Sequence, residues 1–410
     1  MGGFIKALRD GEWLTAERAR LWAIALLLAS LAAVLYILAT AEGLNDYQGR
    51  PIGTDFSNVY AAGSYVLEGR PEAPFDSPTQ HAREREIFGV ATPFYGWHYP
   101  PFFLFVAALL AVLPYLPALA LWQGATLAFY LLCIRAIVGR EKRNLWLLLA
   151  IAYPAVFINL GHGHNGFLTA ALMGFALVLL DRRPVVAGIL FGLLAYKPQF
   201  GLLIPLVLIA TERWKTFAAA AATVGMLALA ATLAFGPQVW PAFFASTAFT
   251  REVVLEAGNT GWHRIQTVFS WVRMWGGPIP LAYTVQMLVT LALSIGVVWL
   301  WRSGTSMAIK ASGLIIASLL ATPYSLDYDL MALAPAIAFW ASEGISRGFR
   351  SWEKTTLAAI WIVPLVARSF AEATLIPLTA PLLLAAFVLL LRRAAEVTST
   401  RTLWLFSRAR

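Results

Sequence analysis

One cysteine stands in this chain of 410 residues. It is Cys133, inside an apolar run, so no intrachain disulfide braces the fold. Charge is scarce as well. Asp, Glu, Lys and Arg make up 13% of the residues, against about 25% in a soluble domain. That is too little polar surface to cover a folded chain of this length in water. No low-complexity tract is present, and no polar stretch is long enough to form a separate soluble domain. The net charge is +9. We assign it to membrane topology and expect no nucleic-acid partner.

What the chain does have is hydrocarbon. Hydrophobic residues make up 59% of it, and the mean hydropathy is +0.68. They fall in repeated runs on the scale of a bilayer crossing, which takes about 20 residues. Backbone inside lipid must satisfy its own hydrogen bonds, so these runs read as helices. The first run, Leu21 to Ala39, lacks a small-residue cleavage site followed by a soluble domain and reads as a retained span.

Basic residues set the orientation, because Lys and Arg stay on the cytoplasmic side. The clusters Arg140–Lys142–Arg143, Arg182–Arg183, Arg213–Lys215 and Arg347–Arg350–Lys354 all share one side if the chain has twelve spans. Those spans are 21–39, 118–138, 145–160, 166–181, 184–196, 199–211, 216–235, 283–301, 308–320, 328–341, 355–370 and 374–391. Both termini are then inside. The apolar run 100–113 is too short to cross, and proline pairs bracket it. It reads as a juxtamembrane or re-entrant helix. The expected architecture is an all-α polytopic membrane protein, one membrane-embedded domain over 1–410. Its two large outside loops are 40–117, with juxtamembrane helices, and 236–282.

With this topology all five histidines fall outside. Histidine and carboxylate are the usual acid–base groups. Asp55, just after the first span, is a lone carboxylate among apolar and small residues. Partial desolvation would raise its proton affinity and suit it as a general base; a helix N-cap is the plainer role. His98 and Tyr99, in Trp97-His98-Tyr99-Pro100-Pro101, stand at a helix mouth, as site residues or as an aromatic belt. Gly161-His162-Gly163-His164-Asn165-Gly166 is a tight turn between spans. It offers hydroxyl or phosphate contacts, and no metal is expected there, because further ligands are missing from the neighbourhood.

Lys197 in Tyr196-Lys197-Pro198-Gln199 interrupts two short apolar runs. A lysine there is costly unless paired or functional. A lipid phosphate is one partner, and snorkelling to the interface is the alternative. His263 and Arg264 belong to a stretch that reads as a short amphipathic helix on the membrane surface. Asp327 and Asp329 form an Asp-x-Asp pair at an outside turn. Two carboxylates do not fill a divalent shell, so a cap for the span at 328 is expected instead.

Four segments in this order resemble the GT-C superfamily of membrane glycosyltransferases, and within it glycosyltransferase family 87. They are DFSNVYAAGSYVLEGRPEAPFD at 55–76, YPPFFLFVAALLAVLP at 99–114, GHGHNG at 161–166 and AGILFGLLAYKPQFGLLIPLVL at 187–208. The likeness covers most of the first 215 residues. It implies a GT-C-like fold of about 12 transmembrane helices. It also implies inverting transfer of a mannose-like sugar from a polyprenyl-phosphate donor to a lipid or glycan acceptor, on the outer face of a bacterial inner membrane, without cofactor. Asp55 takes the position of the base. Lys197, His263 and Arg264 are candidates for the departing lipid phosphate, with His98, Tyr99, His164, Asn165 and Gln199 as further substrate contacts. A transporter or flippase, and a non-catalytic subunit of an envelope assembly, are the competing classes.

Overall fold

The computed structural model describes residues 2–139 and 143–408. Arg140, Lys142 and Arg410 of the basic clusters and terminus lie outside the described residues. Regular structure among the described residues is helical throughout; only three isolated β-bridges occur. Among the described residues five helices are long and apolar enough to cross a membrane: Ala16–Ala39, Tyr115–Ile137, Trp214–Phe235, Ile279–Arg302 and Glu353–Thr374. They carry apolar residues around their whole circumference, as helices packed by lipid and by one another require. The chain is an integral membrane protein.

A sixth span forms if Arg143–Ile151 and Pro154–His162 count together across a 45° bend. The bend has a local cause. Pro154 has no N–H to give the Ala150 carbonyl. That carbonyl accepts a bond from the Tyr130 hydroxyl instead, at 3.1 Å.

The expected twelve spans all fall on helices, yet among the described residues only those five or six are both long and apolar enough to cross. The expected spans 184–196 and 199–211 show why. Their α-helical parts are Pro184–Leu193 and Leu203–Ala210. At 1.5 Å per residue these reach roughly 15 and 12 Å, about half of a bilayer core of ~30 Å. Two 3₁₀ turns, Leu194–Tyr196 and Pro198–Gly201, join them around Lys197. Apolar content was legible in the sequence; helix length was cut by these breaks.

The first loop holds helices Thr54–Leu67, Ser77–Phe88 and Leu104–Ala111. The last is the short apolar run expected not to cross, preceded by a 3₁₀ turn at Pro101–Phe103. It packs along Thr54–Leu67, and the Tyr60 hydroxyl bonds the Leu113 carbonyl at 3.0 Å.

The second loop differs from the expected surface helix. Residues Trp262–Arg264 form a 3₁₀ turn and Val268–Met274 a two-turn helix opened by a Thr267–Ser270 capping box. Phe269 is fully buried. The segment is tied to the turn before Asp327 and to Thr379. Ile265 bridges Leu326, Gln266 N–H bonds the Ser325 carbonyl at 2.7 Å, and Thr379 bonds the Gln266 side chain at 2.6 Å.

Candidate active site

Two left-handed glycines build the first part of the site. Gly53 (φ 72°) is the N-cap of Thr54–Leu67, and Gly163 (φ 61°) is the C-cap of Pro154–His162. The two turns touch. A Cβ on Gly163 would stand 2.6 Å from the Phe56 Cβ, and one on Gly53 would stand 3.5 Å from the Gly163 Cα. Only glycine permits both the φ and the approach. The approach sets His162 Nδ1 2.8 Å from Thr54 Oγ1 and 3.9 Å from Asp55 Oδ1.

Asp55 is therefore not the N-cap. It sits in the first turn, where the helix dipole favours the carboxylate. Its side chain keeps 21% exposure. Burial raises its pKa above the ordinary 3.8, His162 opposes that, and the Asp327 charge adds to it.

The second part is a cavity of about 240 Å³. Five expected site residues line it: His98, Tyr99, His164, Lys197 and Gln199. Tyr196, Tyr324, Tyr328 and Phe243 add aromatic wall, and Ser246, Thr247 and Thr250 add hydroxyls. His164 stacks on Tyr328 with ring centroids 3.5 Å apart. The Tyr99 hydroxyl accepts from Asn165 Nδ2 at 2.8 Å and faces His164 Nε2 at 3.4 Å. Asn165 thus stands behind the wall and holds Tyr99. His98 Nδ1 meets Thr250 Oγ1 at 2.8 Å. Burial lowers the His98 pKa to about 4, so it is a neutral hydrogen-bonding group at pH 7. The aromatic-belt reading of this stretch fails, because Trp97 and Tyr99 are buried in the protein core.

Lys197 is buried and paired, which corrects the snorkelling reading. It has a protein partner where the sequence suggested a lipid phosphate. Its Nζ meets Asp329 Oδ1 at 2.5 Å, with both side chains buried. Asp329 Oδ2 accepts the Leu326 N–H at 2.9 Å, the reach-back bond of a residue three places into the Asp327–Ala332 turn. Asp327 turns elsewhere: its Oδ1 accepts the Tyr328 N–H, and its Oδ2 lies 3.4 Å from Arg368. The two carboxylates of the Asp-x-Asp pair thus serve different cations.

Arg368 marks the third part. His263 and Arg264 are not in the cavity lining. They gather with Arg368, which comes from the Glu353–Thr374 span, and with Asp327 and Glu372. Burial and then the Arg368 charge lower the Arg264 pKa. Asp55 lies within electrostatic range of both Lys197 and Arg264.

Sequence reasoning missed Arg368, read His162 only as part of a polar turn and read Asp329 only as a cap. His162 adjoins a motif glycine, Asp329 belongs to a noted pair, and Arg368 interrupts an apolar run that was read as a span. Each signal existed, but the pairing partner lay far along the chain. Among the described residues no three His, Cys, Asp or Glu side chains converge as a metal-binding set.

The sequence model of glycosyltransferase family 87 matches residues 97–323, more than half of the chain. The match carries His98, Tyr99, His164, Asn165, Lys197, Gln199, His263 and Arg264. It begins after Asp55 and ends before Asp329 and Arg368, so it lies further along than the likeness read from the first 215 residues. No curated protein and no solved structure matches the chain significantly.

Proposed function

This chain belongs to glycosyltransferase family 87, a family of membrane glycosyltransferases, and on that premise we propose that it transfers a hexose from a polyprenyl-phosphate donor by single displacement with Asp55 as base. The observation that carries the reading is the setting of Asp55. It is a partly desolvated carboxylate in a helix first turn, 3.9 Å from His162 and within range of two cationic groupings.

The step balances as follows. The acceptor hydroxyl gives its proton to Asp55. Its oxygen bonds the anomeric carbon while the bond from that carbon to the phosphate oxygen breaks. The electron pair leaves on the phosphate, whose charge goes from −1 to −2. A single base on the acceptor gives inversion. In this reading Arg264 faces the charge that develops on the phosphate, where a fixed cation stabilises the transition state, and His263, whose pKa burial lowers, offers a hydrogen bond rather than a charge. The aromatic and hydroxyl lining of the cavity suits a sugar ring, and mannose fits that chemistry. The acceptor is a lipid or glycan on the outer face of a bacterial inner membrane.

The test is transfer by purified protein with a panel of labelled polyprenyl-phosphate sugars and the matching nucleotide sugars. Turnover from a polyprenyl-phosphate sugar alone supports the reading. Turnover from the nucleotide sugar alone overturns it.

A further inference from the structure

The span Glu353–Thr374 carries Arg368 six residues before its end, roughly 9 Å down the helix at 1.5 Å per residue. A guanidinium in a span is costly unless it is paired or functional. Among the described residues its one ion-pair partner holds it loosely. Arg368 and Asp327 meet at 3.4 Å, while the nearby Lys197–Asp329 contact is 2.5 Å. Asp327 also spends its other oxygen on the Tyr328 N–H.

The Trp262–Arg264 turn packs on the Glu353–Thr374 helix that carries Arg368, and among the described residues Arg264 has no carboxylate within ion-pair distance. His263 is 4.0 Å from Glu372, itself largely exposed. Among the described residues the Arg264 guanidinium makes no side-chain hydrogen bond and that of Arg368 makes one, at 3.4 Å, so most of their N–H groups remain open to an anion. The backbone ties of Ile265 and Gln266 to Leu326 and Ser325 hold Arg264 there without any anion's help.

We propose that Arg368 and Arg264 together seat the donor phosphate, with Asp327 as the counter-ion that Arg368 exchanges for it. The inference rests on the phosphate-linked donor proposed above and adds a residue that lies outside the family match. Its chemistry follows from the charge change of the step. The donor phosphate carries one negative charge and the released polyprenyl phosphate two. A seat of two guanidiniums therefore favours product-like charge over the ground state, which is where catalysis by fixed charge acts.

The experiment uses the full chain in detergent with polyprenyl phosphate, and with unphosphorylated polyprenol as reference. Arg368→Gln is expected to weaken polyprenyl phosphate binding by about 10-fold or more, the worth of a charged hydrogen bond, while polyprenol binding stays unchanged. The Asp327→Asn/Arg368→Gln double variant is expected to remain weak. Recovery of wild-type affinity by the double variant would mean that Arg368 only neutralises Asp327, and would overturn the inference. Wild-type affinity in Arg368→Gln alone would overturn it too. If the wild-type protein does not distinguish polyprenyl phosphate from polyprenol, the phosphate-linked donor itself falls, and the seat with it.

Discussion

Lys197 and Asp329 stand 132 positions apart in sequence, and their side chains meet at 2.5 Å in the buried wall of the cavity. The pair joins the break between two half-length helices to the turn that opens Asp327–Ala332. It also fixes Tyr328, whose ring lies 5.4 Å from the Lys197 ammonium and stacks on His164. Breaking a buried pair from one side strands a charge and costs about 3–5 kcal/mol, whereas replacing both partners costs far less. Lys197→Met is expected to lower the thermal midpoint in detergent by several degrees. Lys197→Met/Asp329→Asn should regain most of it. An unmoved midpoint in the single variant would contradict the pairing.

Gly163→Ala tests the glycine contact. The added Cβ meets the Phe56 Cβ at 2.6 Å, on a backbone of φ 61° that alanine adopts poorly. We expect His162 to move from Thr54 and Asp55, with transfer falling at least 10-fold while the protein remains assembled. A 1 Å misplacement costs up to about 10²-fold. Full activity would show that this approach does not position the base.

Much of the fold was legible because it rests on local content. Apolar runs, proline breaks and the shortness of the helix at 100–113 can each be read within twenty residues. Crossing length was less legible, since 3₁₀ turns at 194–201 shorten two helices without changing their hydropathy. In the site, His98, Tyr99, His164, Lys197 and Gln199 share one cavity, as their motifs suggested. Partners were another matter. Lys197 was matched to a lipid phosphate because Asp329 is remote in sequence, and Arg368 drew no reading because Asp327, 41 positions away, meets it only in the folded chain. Long-range pairing leaves no periodic trace.

Orientation has a direct check. Single cysteines at Val90, in the first loop, and Arg350, both exposed, are introduced in a Cys133→Ala background. An impermeant thiol reagent applied to intact cells is expected to label position 90 and to spare position 350. The opposite pattern would place both loops and the active site on the cytoplasmic face.

The acid limb of activity carries a sign. Burial raises the Asp55 pKa above 3.8, and a base works only when ionised. Turnover should therefore be lost as pH falls through that raised value, with the limb in kcat/KM above pH 3.8. The same shift bears on stability. A carboxylate with a raised folded pKa binds its proton more tightly when folded, so ionisation costs stability as pH rises through that value. Asp55→Asn is expected to be as stable as wild type at pH 7 or more so. A limb at or below pH 3.8 would contradict the desolvated setting of Asp55.

The central claim is that Asp55 takes the acceptor's proton. Asn preserves the size of the side chain and removes the base. The deciding measurement is the single-turnover rate of sugar transfer by folded Asp55→Asn protein, with the polyprenyl-phosphate sugar that wild type uses. A fall of about 10²–10⁴-fold, the usual worth of a general base, with an undiminished thermal midpoint, is the predicted result. Wild-type turnover by the folded variant would contradict the account.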